Sequence, residues 1–252
     1  MLSALYLSQD VSLPVAFHLI LKTERVTDPK TGKERWQSPV TKNEIARQMI
    51  AAVKQKQIPF RYVLADSWFS SAENMIYIKQ KARKDFVIPL KSNRNVFMSD
   101  SSAKAGKPVK LDSLDFTTSG SLVLYLEGVP FALLVSRQVF TNEDGKESVL
   151  FLSTSDLTLR GSSLHTLYHK RWKVEEYHKS LKSNASFAKS PTKRIRTQTN
   201  HFIASILAFI LAFVKLEIYR GTQKLNHFAL KAKLYRTALA SAFAELRQLK
   251  AA

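Results

Sequence analysis

The sequence contains no cysteine. That excludes disulfides, thiolate metal ligands and cysteine nucleophiles, and it suits a reducing cytoplasm. Glycine is scarce, at 7 of 252 residues, and no repeat or low-complexity tract breaks the chain. A linker-rich or disordered polypeptide is therefore not expected. The opening MLSALYLSQD lacks the basic region and small-residue cleavage site of a secretory signal, so a cytoplasmic location is expected. Long apolar runs are missing too. FIASILAFILAFV, Phe202 to Val214, holds 13 residues and is closed by Lys215 and Glu217. A bilayer needs about 20 residues of helix, so this run is expected to be the buried centre of a fold and no membrane is expected as a partner. A basic protein held to a membrane by that run is the rival reading, and the polar borders Asn200, His201, Lys215 and Glu217 fit a core helix better.

Acidic residues are also few: 20 Asp plus Glu stand against 39 Lys plus Arg, a formal net charge of +19 and a pI near 10.1. Such a surplus opposes compaction by self-repulsion unless a polyanion offsets it. Nucleic acid ranks first as that partner, because each neutralised phosphate releases condensed counterions. A basic protein without such a purpose, or a membrane-surface binder, ranks below. With 45% hydrophobic and 23% charged residues, the length suits one large domain or one domain with an insertion.

Two strands open the chain, Leu2–Leu7 and Val11–Leu21, with Asp10 in the turn and Pro14 marking a sheet edge. A polar loop is expected next, with Asp28-Pro29 and Thr31-Gly32 as turn signals. A helix then starts at Thr41, which stands three residues before Glu44 as in a capping box, and Ile45, Met49, Ala52 and Val53 form its apolar face. Phe60–Asp66 has the look of a buried parallel strand. Ser70 and Glu73 open a helix to about Lys84, and Phe86–Leu90 is a strand. Strand, helix, strand, helix, strand is the alternation of an α/β sheet. After Lys91 come β-rich runs, SLVLYLEG, VPFALLVSRQVF and ESVLFLST, separated by Glu127-Gly128 and NEDG turns. From Ser162 onward the pattern is helical, roughly over 162–183, 200–220 and 225–249.

Asp66 closes an apolar strand directly before a helix start. Catalytic and ligand groups in α/β sheets gather beyond the carboxyl ends of strands, so a metal can reach a carboxylate there. Capping the next helix is the alternative. Trp68 and Phe69 are most simply core residues, although Trp68 has the chemistry to stack on a base.

In LYHKRWKVEEYHKSLKSN, Leu167 to Asn184, Tyr168, Arg171, Glu175 and Lys182 share one narrow helical stripe at about 100° per residue. Leu167, Val174 and Leu181 form the neighbouring core stripe, and Glu176 lies outside both. One reading is a surface helix laced with pairs such as Arg171–Glu175. The other is a carboxylate ligand flanked by phosphate-holding cations. Arg160–Arg196 carries ten Lys/Arg and two acids, which suits phosphodiester chemistry. Hard oxygen ligands suit Mg²⁺ or Mn²⁺, and a metal pair about 4 Å apart stabilises both attacking and leaving oxygens.

Tyr168, Arg171, Glu175 and Lys182, at those spacings, resemble the Tyr-Arg-Glu-Lys signature of a large group of bacterial insertion-sequence transposases of the DDE class. LADSWF resembles that family's second acidic motif, and the β-rich segment between Asp66 and Glu175 matches the group. The resemblance implies an α/β fold: a ribonuclease-H-like mixed sheet with flanking helices, an all-β insertion and a helical C-terminus. The parts would be 1–91, 92–156 and 157–252. It implies transposition by metal-dependent nicking and strand transfer. Asp66 and Glu175 would be the catalytic metal ligands for Mg²⁺ or Mn²⁺, and Tyr168, Arg171 and Lys182 would hold double-stranded DNA, both transposon ends and target. Lys193, Arg194 and Arg196, in KSPTKRIR, would track the DNA backbone, with a solvated loop as the alternative.

The family's first aspartate belongs to a strand ahead of the opening hairpin. That strand is absent here, so an N-terminally truncated transposase is expected, inactive or weakly active. The alternative is a non-catalytic DNA-binding remnant that modulates an intact transposase. A homodimer or co-assembly with intact transposase, and a nucleoid-associated bacterial location, complete the expectation. His201 is assigned a capping or core role. Phe228, Leu234, Leu239, Phe243 and Leu246 of the last helix are available for packing or self-association.

Overall fold

A computed structural model describes residues 1–8, 11–29, 31–117, 120–141, 144–145, 147–190, 194–220 and 227–251, with side chains for all of these except 11, 212–220, 227–234 and 248–251. Asp10, Lys193, the Asn142-Glu143 part of the NEDG turn, and the side chains of Phe228 and Leu234 lie outside the described residues. The chain divides into two compact units, Met1–Lys173 and Val174–Ala252.

The first unit opens with an antiparallel hairpin of β1 (Leu2–Ser8) and β2 (Val11–His18). Its register shifts between Ala4 and Leu5, where Leu5 faces Pro14. A bulge in a two-stranded sheet tolerates a residue that cannot donate to the ladder. The expected polar loop contains a second hairpin, β3 (Glu24–Thr27) with β4 (Glu34–Gln37). ERVT and ERWQ show no apolar alternation, so periodicity gave no strand signal there. The turn carries it instead: the Thr31 N–H donates to Asp28 Oδ1 at 3.2 Å, and the Gly32 N–H donates to the Asp28 carbonyl at 2.8 Å. Gly32 has φ of 66°, a left-handed conformation natural to glycine.

Helix α1 (Lys42–Gln55) begins as its sequence requires: Thr41 Oγ1 accepts the Glu44 N–H at 3.2 Å, and Ile45, Met49 and Val53 are buried. Next come β5 (Tyr62–Leu64), a 3₁₀ turn at Ser67–Phe69, α2 (Ala72–Ile76), a π-helical turn at Tyr77–Lys81, and β6 (Asp85–Leu90). The cap of α2 is Ser71, whose Oγ accepts the Asn74 N–H at 3.3 Å, one residue after the expected Ser70. β5 and β6 pair in parallel, the strand–helix–strand arrangement read from the sequence.

From β6 the sheet continues into the β-rich segment. That segment holds β7 (Asn95–Phe97), α3 (Asp100–Lys104), β8 (Val109–Lys110), β9 (Ser121–Leu126), β10 (Leu133–Thr141) and β11 (Glu147–Thr154). The seven strands lie in the order β5-β6-β11-β10-β9-β7-β8. All the pairings other than β5–β6 are antiparallel. β6 is buried on both faces. Phe86, Ile88 and Leu90 join Met75, Ile78, Leu124, Leu133, Val135 and Phe151 on one side. Val87 joins Leu152 and Leu164 on the other. Two covered faces explain why FVIPL reads as a continuous apolar run. Leu164 belongs to α4 (Gly161–His169), which is followed by a 3₁₀ turn at Lys170–Trp172.

The second unit comprises α5 (Lys173–Asn184) apart from its first residue, α6 (Ile195–Arg220) and α7 (His227–Ala251). Tyr177, Leu181, Ile206 and Phe209 are buried, and Tyr177 meets Phe209 edge to face at 5.0 Å. His201 Nε2 donates to the Ser186 carbonyl at 2.9 Å, a structural tie. Among the described residues no helix is long and apolar enough to cross a membrane. The apolar run is not buried all round, however: Leu207 and Leu211 are exposed.

Candidate active site

Asp66 stands two residues beyond the carboxyl end of β5, and its side chain is exposed. One oxygen is committed, since Oδ1 accepts the Trp68 N–H at 2.8 Å and caps the 3₁₀ turn. Among the described residues Oδ2 has no hydrogen-bond partner. The cap and the ligand readings are thus compatible, because a carboxylate has acceptor sites on both oxygens.

Two other acids of this sheet are used differently. Asp156 accepts from Tyr62 Oη at 2.6 Å, from Arg61 Nη2 at 3.1 Å, and from the Thr158 N–H and Oγ1 at 3.0 and 2.6 Å. Asp85 Oδ1 accepts from Lys79 Nζ at 2.6 Å and Ser155 Oγ at 2.7 Å. Asp156 receives donors on both oxygens and Asp85 two on Oδ1, at the opposite, amino-terminal side of β5 and β6, and both brace the fold.

Trp68 corrects an expectation. It is not core but 67% exposed, with the Lys42 ammonium 5.1 Å from its ring centroid. Phe69 is half-buried, as a core-edge residue.

The basic segment is not one continuous α-helix. The 3₁₀ turn at Lys170–Trp172 winds at about 120° per residue against about 100° for an α-helix, so the single stripe drawn from Tyr168 to Lys182 changes phase. Tyr168, before the break, and Arg171, within it, are half-buried, and the Arg171 guanidinium lies 5.5 Å from the Tyr168 ring centroid. After it, Glu175, Glu176 and Lys182 are all exposed, so burial does not separate the two glutamates. The expected core stripe is shifted: Tyr177, Ser180 and Leu181 are buried, whereas Leu167 and Val174 are half-buried.

The sequence reading missed His178. It is half-buried, and burial holds its pKa below the ordinary value, with Glu175 opposing that shift and Lys182 adding to it. Glu175, His178 and Lys182 therefore form one electrostatically coupled face of α5. The i,i+3 and i,i+7 spacing was the available signal. Arg194 and Arg196 are exposed around the start of α6. Asp66 belongs to the first unit and Glu175 to the second. Among the described residues no three His, Asp or Glu side chains form a group able to hold a metal ion.

A mixed seven-stranded sheet with flanking helices is the architecture of a ribonuclease-H-like domain. The sequence pattern of one family, described as Transposase DDE domain, matches residues 21–211, and the chain belongs to that family. The match takes in Asp66, the β-rich segment and Glu175. No curated protein matches the chain. A transposase acts on DNA, and the excess of cationic side chains suits that substrate.

Proposed function

We propose that this protein acts on transposon DNA through metal-dependent phosphodiester chemistry, with Asp66 and Glu175 as the carboxylate ligands of Mg²⁺ or Mn²⁺. The supporting observation is the exposed Asp66 side chain beyond the carboxyl end of β5, only its Oδ1 engaged by a hydrogen bond among the described residues, in a chain of the transposase family. The donor set fits such an ion: Mg²⁺ is usually held by one or two carboxylates, its other positions going to water and substrate phosphate. When bound, the metal supplies activation of water and neutralisation of charge on the phosphate.

The side chains have distinct tasks. Asp66, exposed and kept in one orientation by the Trp68 N–H on Oδ1, leaves Oδ2 for a metal ion. Glu175 presents the second carboxylate, and Lys182, about two turns further along α5, supplies an ammonium that offsets the negative charge of an arriving phosphate. Tyr168 supports the Arg171 guanidinium through its ring, and Arg171 is suited to forked contact with phosphate oxygens. Lys193, Arg194 and Arg196 extend the cationic track along the duplex.

A supercoiled plasmid incubated with the full chain and Mg²⁺ or Mn²⁺ tests the proposal. Nicking lost in both Asp66→Asn and Glu175→Gln supports it. Nicking that survives either change overturns the ligand assignment. A second reading draws on the lack of a three-residue ligand group among the described residues: a DNA-binding protein that modulates an intact transposase. Tight duplex binding with no nicking in either metal would favour it.

A further inference from the structure

Leaving a tryptophan in water forgoes the free energy of burying its large apolar ring, so an exposed ring on a fixed backbone calls for a reason. Trp68 is 67% exposed. Its backbone is nevertheless fixed on both sides. Its N–H is held by Asp66 Oδ1, the Phe69 N–H donates to the Asp66 carbonyl at 3.1 Å, and Ser70 Oγ donates to the Ser67 carbonyl at 2.7 Å. The following carbonyl, that of Phe69, accepts from Asn74 Nδ2 at 3.1 Å. Asn74 is only 3% exposed and is itself saturated, donating to Asn43 Oδ1 at 2.9 Å and accepting from Arg47 Nη1 at 2.8 Å. A buried polar network thus anchors the turn from beneath while the indole ring points into solvent.

Over that ring stands Lys42, the first residue of α1, in a cation–π contact. At an exposed site such a contact is weak, so it is easily exchanged. The ring, the ammonium and the Asp66 carboxylate therefore sit together at the carboxyl end of β5. Flat aromatic faces beside cations bind unpaired nucleic acid: the base stacks on the ring, and the cation turns to the phosphate. A paired duplex offers no free base face to such a ring.

We propose that Trp68, with Lys42, is a stacking platform for one unpaired nucleobase of the DNA strand that passes Asp66. Trp68 is a positioning residue, setting the register of the strand relative to the carboxylate. The proposal rests on the transposase reading above. Trp36 and Trp172 are also exposed, but no cation–π contact or anchored turn beside a free carboxylate oxygen accompanies either ring among the described residues.

The chain has three tryptophans, so Trp36→Phe and Trp172→Phe together leave Trp68 as the sole indole reporter. Three DNA probes are titrated at low salt without metal: a blunt duplex, the same duplex with a few unpaired nucleotides, and that overhang made abasic. Stacking at about 1–3 kcal/mol per base predicts binding at least about fivefold tighter to the overhang than to the blunt duplex, with quenching of Trp68 emission. The preference should vanish on the abasic overhang and in Trp68→Ala, and should largely survive in Trp68→Phe. Blunt-duplex affinity should stay within about twofold in both variants, since phosphate contacts supply it. An overhang preference that persists in Trp68→Ala, or overhang binding without any change in Trp68 emission, overturns the platform. Failure of the unmutated chain to bind even blunt duplex at low salt would instead sink the DNA reading itself, and the platform with it.

Discussion

The Tyr62 hydroxyl donates a 2.6 Å hydrogen bond to the Asp156 carboxylate, joining the start of β5 to the segment just after β11. Burial alone would raise the Asp156 carboxyl, but the donors of Thr158, Tyr62 and Arg61 outweigh it and bring the pKa down to about 2. Burial and the same carboxylate push Tyr62 up to about 12. A carboxyl held below its unfolded value stabilises the fold fully above about pH 4, and that stability is lost as pH falls toward 2. A phenol held above its unfolded value contributes below about pH 10 and loses its contribution as pH rises through 12. Denaturant unfolding across pH should show both losses. Tyr62→Phe should cost about 1.5–3 kcal/mol at neutral pH and remove the alkaline loss; an unchanged midpoint would refute the assignment.

His165 should titrate below the ordinary histidine range. Ser136 Oγ donates its one hydrogen to the Gly120 carbonyl at 3.0 Å, so His165 Nε2, 3.0 Å from that oxygen, carries a proton and donates to it. The unprotonated Nδ1 is buried with no hydrogen-bond partner among the described residues. Charging the ring would place a second N–H there without an acceptor, and burial accordingly lowers the pKa. The unfolded state then binds the proton more tightly, so stability falls as pH drops below about 6.5. An imidazole NMR titration with its midpoint at or above 6.5 would contradict this.

Periodicity found most of the sheet and missed what periodicity does not encode. FVIPL, LVLYL and LFLST were legible because buried strands are apolar in bulk. The Thr41 cap was legible because its chemistry is local. The β3–β4 hairpin was not, since both strands face solvent and only the Asp28–Gly32 turn directs them. Trp68 was misread because a large aromatic is usually buried, and exposure depends on packing that its neighbours do not spell out. The stripe through Tyr168 and Lys182 assumed one uninterrupted helix. The 3₁₀ turn at Lys170–Trp172 breaks that phase, and a pattern of residue types does not announce a change of winding. The order of Asp66 and Glu175 along the chain, by contrast, was fully present in the sequence.

The cationic track should show itself in salt dependence. Lys182, Arg194 and Arg196 are exposed. Each phosphate contact contributes about 0.9 to the slope of log affinity against log salt on duplex DNA. Replacing Lys182, Arg194 and Arg196 with glutamine should therefore flatten the slope by up to about 3, with affinity falling alike on unrelated sequences. A slope equal to that of the unmutated chain would return these side chains to ordinary solvation.

Asp66 allows its two roles to be separated. Asn keeps an Oδ1 acceptor for the Trp68 N–H but removes the charge, whereas Ala removes both. Asp66→Asn should keep stability within about 0.5 kcal/mol, and Asp66→Ala should lose about 1 kcal/mol with the cap. Both should weaken Mn²⁺ binding in the presence of duplex DNA, measured by calorimetry or by the paramagnetic signal of the ion. A pure cap gives a different pattern: Ala destabilises, Asn does not, and neither alters metal affinity. Should that pattern appear, the carboxylate beyond β5 would be a structural residue, and the metal ligands of this transposase would have to be sought elsewhere.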